Sequence, residues 1–239
     1  MVHEISNIIF SHWWKTSLVA FLFFLLLYFT SSMAALILQR FFRLPSISNY
    51  KDYHKQIKTE IRLSLISIGV FSLEAIPIQI AFTNGLININ LDINLYTLVP
   101  EMILLFLWNE IHFYVTHRLL HTKWLFNKVH FRHHKSNEPT VFSTYSFHWL
   151  EAALLGSVIY VPVLLFHFQF LALLSLPIMS IILNTLGHWH HDIAPDKPYN
   201  HWLRFSYRHS MHHKYVKGNY GFFLVYIDQL FKTNLKNGK

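Results

Sequence analysis

Residues 17–38 read SLVAFLFFLLLYFTSSMAALIL, a run without a charged side chain. As a helix rising 1.5 Å per residue it spans roughly 33 Å, enough to cross the hydrocarbon core of a bilayer. It is longer than the apolar part of a secretory signal peptide. Gln39-Arg40-Phe41-Phe42-Arg43 follows where a small-residue cleavage site would stand, so the run reads as a retained transmembrane helix. Three more apolar stretches lie downstream. Residues 61–82 carry Glu74 and Pro77, and residues 95–116 carry Glu101 and Glu110. Residues 150–186, with Pro162 and Pro177, are too long for one crossing and read as a helical hairpin turning near His167-Phe168-Gln169. The composition agrees: 53% of residues are hydrophobic and 13% charged, against about 25% charged in a soluble domain. The expected fold is a single all-α membrane domain over residues 1–239, with about four or five transmembrane helices. Residues 117–149 and 187–239 are expected to form a helical cap.

The charges orient this bundle. The formal net charge is +8, and residues 39–60, 117–149 and 187–239 hold 18 of the 20 Lys and Arg. Lys15 and Arg62 are the exceptions, each beside a membrane boundary. Basic residues collect in cytoplasmic segments of membrane proteins, so the cap is expected to be cytosolic, and the basic balance needs no nucleic-acid partner. No internal repeat or flexible linker suggests a second domain.

Histidine is the anomaly. There are 18, of which 15 fall between His112 and His213. Three clusters stand out: His117-Arg-Leu-Leu-His121, His130-Phe-Arg-His133-His134 and His209-Ser-Met-His212-His213. On a helix, positions i, i+3 and i+4 share a face, so each cluster is expected to aim its imidazoles in one direction, the second from a helix over residues 124–135. The chain has no cysteine, which excludes thiolate zinc sites, iron–sulfur clusters and disulfides. A zinc ion usually takes four ligands, so eight imidazoles imply two metal ions. Imidazole suits iron, copper, zinc and nickel alike. His112 lies five residues before His117 and faces elsewhere on an ideal helix. His3, His12, His54, His167 and His201 read as non-ligands, and Asn219 as a turn residue.

At these motifs the chain resembles the fatty acid hydroxylase and sterol desaturase superfamily of membrane di-iron oxygenases. The likeness runs from about Trp108 to Thr233. HRLLH is followed nine residues later by HFRHH, then by FHWLE, HWHHDIAP, RHSMHH, GNYG and DQLFKT, in the order and spacing of that family. Within it, the stretch is most similar to C4-methyl sterol oxidases. It departs from the family at His148-Trp149, where His-Pro is common, and at Phe231-Lys232-Thr233, where Phe-Gly-Thr is common. The resemblance implies His117, His121, His130, His133, His134, His209, His212 and His213 as ligands, and adds His188 from the end of the last span. His190, His191, Asp192, His148 and Glu110 are further candidates, as ligands or as partners that orient one. Glu151 is read as either an anchor or such a partner.

The implied activity is O2-dependent hydroxylation or desaturation of an unactivated C–H bond in a membrane lipid, sterol-like or fatty acyl, with two iron ions as cofactor. The chain has no GxGxxG dinucleotide fingerprint. Electrons would therefore come from a separate cytochrome or ferredoxin with its reductase, docked on a face carrying Lys128, Arg132, Lys135 and Lys214. A bacterial inner membrane or endoplasmic reticulum is the expected location. A membrane zinc hydrolase is the rival enzyme class, weakened by the absence of HExxH. A metal transporter would place ionisable ligands inside the spans, and a non-catalytic metal-binding membrane protein is the remaining alternative.

Overall fold

The structure, a computed structural model, describes residues 8–47 and 54–235; His3 lies outside them. Four helices are long and apolar enough to cross a membrane: α1 (Trp13–Phe42), α2 (His54–Thr83), α3 (Leu95–Leu120) and α6 (Phe170–His188). Between α3 and α6 a broken apolar segment runs through α4 (Trp149–Gly156), a 3-10 turn (Ser157–Ile159) and α5 (Tyr160–Leu165). After α6 come α7 (Phe205–Tyr215) and α8 (Tyr226–Leu230). Among the described residues there is no strand, only two isolated bridges.

The helices are apolar on the outside. Leu18, Leu22, Leu26, Phe29, Met33 and Ile37 form one exposed stripe of α1 at steps of three or four. On α3, Val99, Ile103, Leu107, Ile111, Val115 and Leu119 do the same at steps of four. A helix repeat of 3.6 turns such steps into one face, and a soluble protein would hide it. The inward face carries more polar groups: α2 buries Glu60, Ser64, Ser67, Ser72 and Gln79 beside Ile68 and Phe71. Small residues such as Ser32, Ala35 and Ser64 let α1 and α2 approach closely, as lipid-embedded helices do. An apolar outer surface with polar groups kept inside is the arrangement of a membrane bundle.

The chain crosses back and forth so that the C-terminal ends of α1, α3 and α6 and the start of α2 share one end. There Ser46 bridges His191. At the other end the loop after α2 meets the turn before α6: Asn90 bridges Gln169, and the Glu101 carboxylate accepts from the Gln169 backbone N–H at 2.8 Å. The apolar core beside it joins Ile87, Ile89, Leu105, Val163, Phe168, Leu173 and Leu176.

Loop backbone that enters the bundle needs partners, because hydrocarbon supplies none. The 3-10 turn Val141–Ser143 is such a loop. Tyr28 Oη and Ser64 Oγ donate to the Phe142 carbonyl at 2.8 and 3.1 Å, and Ser32 Oγ to that of Val141 at 3.2 Å. Glu60 accepts from Ser136 Oγ, Thr140 Oγ1 and Gln56 Nε2 at 2.7, 2.5 and 2.9 Å. Two spans thereby fix the segment that leads away from the second histidine cluster. That cluster's helix is not uniform: residues 123–134 are helical, but Phe126–His130 form a π turn between two α turns. A π turn widens the helix locally and rotates the next turn about the axis.

Candidate metal centre

Four elements supply the histidines. His117 sits in the last turn of α3 and His121 just after it, His130, His133 and His134 on the helical stretch 123–134, His188 at the end of α6, and His209, His212 and His213 on α7. All are buried except His121, which is half-buried.

These side chains form two groups. His117, His121, His130, His134 and His212 make one, and His133, His188, His209 and His213 the other; within each, one ring nitrogen per residue lies within 4.8 Å of all the rest. Each HxxHH motif is thus divided between the groups, contrary to the expectation that a cluster points one way. The reason is helical geometry. Positions i and i+4 differ by about 40° around the axis, whereas i+3 lies about 100° from i+4. His130 and His134 accordingly face one group and His133 the other. His209 and His213 pair in the same manner, with His212 crossing over.

The inner nitrogens nearly touch. His188 Nε2 lies 3.1 Å from His133 Nε2 and 3.0 Å from His209 Nε2, which lies 3.2 Å from His213 Nε2. In the larger group, His134 Nε2 is 3.1 Å from both His130 Nε2 and His212 Nε2, and His212 Nε2 is 3.2 Å from His121 Nε2. The outer nitrogens explain why this is unstable without a cation. Nδ1 of His188, His212, His213 and His117 meets the carbonyls of Asn184, Gly218, Ser136 and Tyr220 at 2.8, 2.6, 3.0 and 3.0 Å. A carbonyl only accepts, so each of these Nδ1 atoms carries the proton, an assignment that rests on the bonding network. A neutral ring then presents a bare lone pair at Nε2. His209 Nε2 faces two such lone pairs, on His188 and His213, and has at most one proton to give. A metal ion in each group satisfies every lone pair at once, and an all-imidazole set of four or five suits a first-row transition metal.

Protonation favours the same state. Burial first, and neighbouring imidazoles second, hold His121, His130, His134, His209 and His213 well below the ordinary histidine range. Burial lowers His212 to about 4. The rings are neutral at pH 7, which ligation requires.

The carbonyls that fix the rings are themselves built by local sequence. After α7 the chain turns through left-handed residues Val216, Gly218 and Asn219, with φ of 60°, 67° and 52°. Gly218 is required there: a Cβ would also lie 2.8 Å from the Thr233 carbonyl. Asn219 is more than a turn residue. It donates to Tyr199 Oη and the Arg208 carbonyl at 2.6 and 3.0 Å, and accepts from the Leu235 N–H at 3.0 Å. Asp228 on α8 accepts from the N–H groups of Tyr220 and Gly221 at 2.9 and 2.7 Å. GNYG and DQLFKT are therefore one unit that aims the Gly218 and Tyr220 carbonyls.

The other candidates fall outside both groups. Glu110 accepts from the N–H groups of Phe223 and Leu224, 3.2 and 2.8 Å away, and so ties α3 to this unit. His148 caps α4, its Nδ1 accepting from Leu150 N–H at 3.1 Å. His190 is buried with φ of 59°. His191 Nδ1 donates to the Leu44 carbonyl at 3.0 Å, and Asp192 pairs with Arg204 at 2.6 Å. Glu151 meets one of the grouped rings: its Oε1 lies 2.7 Å from His130 Nδ1, both groups being buried.

Sequence reading missed the space beside the metal groups. A void just large enough for a water borders His117, His130, His133, His188 and His209. Phe113, Phe147, Leu155 and Asn184 line it and also line a cavity of about 400 Å³ among the spans. That cavity is walled mainly by apolar side chains from α1 to α6, including Phe23, Phe71 and Leu176. Nothing local marks it, because its wall comes from residues as distant as Ile9 and Asn184.

The fold and the histidine groups define a multi-pass membrane protein with metal-binding sites at one end of its bundle. The fatty acid hydroxylase family model matches residues 102–233, and the chain belongs to that family, within the fatty acid hydroxylase and sterol desaturase superfamily. Among similar proteins, a Delta(7)-sterol 5(6)-desaturase of Gibberella zeae is 28% identical over 72% of this chain and 54% of its own length. The Delta(7)-sterol 5(6)-desaturase of Saccharomyces cerevisiae is 28% identical over 87% and 57%. A very-long-chain aldehyde decarbonylase of Oryza sativa subsp. indica is 27% identical over 94% and 88%. The chain spans little more than half the length of these sterol desaturases. No solved structure matches.

Proposed function

We propose that this protein is an O2-dependent di-iron oxidoreductase that hydroxylates or desaturates an unactivated C–H bond of a membrane lipid. The observation that carries the reading is the pair of imidazole groups bordering a small void that shares Phe113, Phe147, Leu155 and Asn184 with an apolar cavity inside the bundle. One iron ion would be held by His117, His121, His130, His134 and His212, the other by His133, His188, His209 and His213. Bound iron supplies the redox chemistry with O2 that no side chain can perform.

The chain's own residues do the rest. The carbonyls of Asn184, Ser136, Gly218 and Tyr220 hold four rings in one tautomer, and Glu151 holds His130. Phe113, Phe147 and Leu155 form the apolar wall shared by the cavity and the void beside the histidine groups. The lipid enters from the bilayer and lies in the cavity, with the reacting carbon at the Phe113–Phe147 end. Water is kept from the reaction by that apolar wall. The relatives' names give the reading its substrate class, with sterol desaturases and an aldehyde decarbonylase among them.

The distribution of Lys and Arg supports a cytosolic metal end. Exposed Lys128, Arg132, Lys135 and Lys214 surround it and suit docking of an acidic electron donor, a cytochrome or ferredoxin served by a reductase. Lipid extracts of cells with and without the gene should differ by an oxidised or unsaturated lipid. His133→Ala should remove that difference; a product that persists in the variant contradicts the assignment.

A further inference from the structure

The cavity's wall is mainly apolar; apart from Thr16, Tyr145, Ser180 and Asn184, its polar side chains gather where α2, α3 and the turn after α4 meet. Glu74, Asn109 and His112 line it there. Asn109 is 3% exposed, and its Nδ2 has no hydrogen-bond partner. No hydrogen bond to the Glu74 carboxylate is found among the described residues. The carboxylate packs against Gly156 so closely that a Cβ on that glycine would lie 1.8 Å from Glu74 Oε2. His112 Nε2 lies 3.2 Å from Ser157 Oγ, and Trp108 Nε1 donates to the Val158 carbonyl at 2.7 Å. These contacts fix the 156–158 turn against α3, so the three polar side chains border one patch.

Unpaired polar groups within a membrane bundle are costly and mark binding sites. Their chemistry selects the guest. Asn109 Nδ2 can only donate, and the Glu74 carboxyl, protonated or not, keeps an acceptor oxygen that needs a donor. The cavity lining contains no Lys or Arg, so a carboxylate or phosphate would sit beside Glu74 with no counter-charge. An aldehyde or ester carbonyl accepts from Asn109 but has no proton for Glu74. A hydroxyl does both. Asn109 precedes His117 by eight residues of α3, about 12 Å along the axis, so a group held there is away from the metal groups.

We propose that Glu74 and Asn109, with His112 beside them, form a hydroxyl-binding subsite, and that the lipid accepted is an uncharged alcohol anchored by that hydroxyl with its reacting carbon toward the metal groups. This rests on the cavity being the lipid site of the proposed oxygenase. It does not require that the hydroxyl itself react.

The test uses the full chain, metal-loaded, in lipid nanodiscs. The probes are an 18-carbon primary alcohol with a mid-chain diazirine and the methyl ether of the same molecule. The alcohol should label cavity residues saturably, and the ether about ten-fold more weakly. Asn109→Leu should erase the preference. So should Gly156→Ala, which drives a methyl group into the Glu74 carboxylate, with metal content confirming that each variant retains its cap. Equal labelling by alcohol and ether in the wild type, no saturable labelling of the cavity by either, or a preference that survives both substitutions overturns the subsite. Oxidation of alcohol and ether at equal rates would remove the subsite and leave the oxygenase standing. Selective labelling by the alcohol, with no oxidation of any lipid, would do the reverse.

Discussion

Glu151 meets His130 through one oxygen and leaves the other, Oε2, buried without a partner. A carboxylate behind an imidazole raises its basicity and fixes its rotation, and loss of such a partner typically costs 10–100-fold in metal affinity. Glu151→Gln keeps an acceptor oxygen but removes the charge. Chelator competition should show the ion of the five-histidine group bound about 10–100-fold more weakly, with the other ion unchanged; equal affinity would remove Glu151 from the site. The rings themselves set a pH dependence. His212 is lowered to about 4 in the folded protein, whereas in the unfolded chain it protonates near 6.5. Its contribution is complete above pH 6.5 and is lost as pH falls from there toward 4, because the unfolded state takes up the proton first. His209 and His213 are shifted in the same direction. Metal-free protein should therefore lose thermal stability progressively between pH 6.5 and 4; a flat profile across that window contradicts buried neutral rings. At this scale the sequence was most legible, because HxxxH and HxxHH are dense and rare. The carbonyl partners were not, since a backbone oxygen carries no sequence signature. Only the fold shows that Gly218 and Tyr220 serve His212 and His117.

At the scale of the element, each motif straddles two sites. The 3.6-residue repeat sends i and i+4 one way and i+3 another, and the second and third clusters divide alike although only the second follows a π turn. Paired substitutions test this without any assay of activity. His133→Ala with His209→Ala removes two members of one group and should leave about one metal per chain. His134→Ala with His209→Ala takes one from each group and should weaken both ions. Equal metal loss in the two double variants would show that the groups are not separate. The helical spans were readable from apolar length, because a 30 Å core demands it. The role of the buried polar faces was not. Glu60 on α2 anchors Ser136 and Thr140 from a segment some 80 residues away. Likewise His112, set aside because it faces away from His117, faces the cavity.

The whole molecule is a membrane bundle whose polar end gathers nine imidazoles and whose apolar middle keeps a lipid-sized space. The bundle was legible because composition, apolar runs and the distribution of Lys and Arg all describe the same solvent. The cavity was illegible because its wall draws scattered residues from six helices, the segments between them and an amino-terminal turn, each unremarkable in its own stretch. It shares Phe113, Phe147, Leu155 and Asn184 with the void that borders both histidine groups, and the proposed function stands on that junction. The most direct measurement is metal content and oxygen uptake of protein purified anaerobically, then reduced and supplied with membrane lipid. The proposal predicts about two irons per chain and O2 consumption that yields an oxidised lipid. Stoichiometric zinc, with no O2 consumption even after loading with iron, would contradict it.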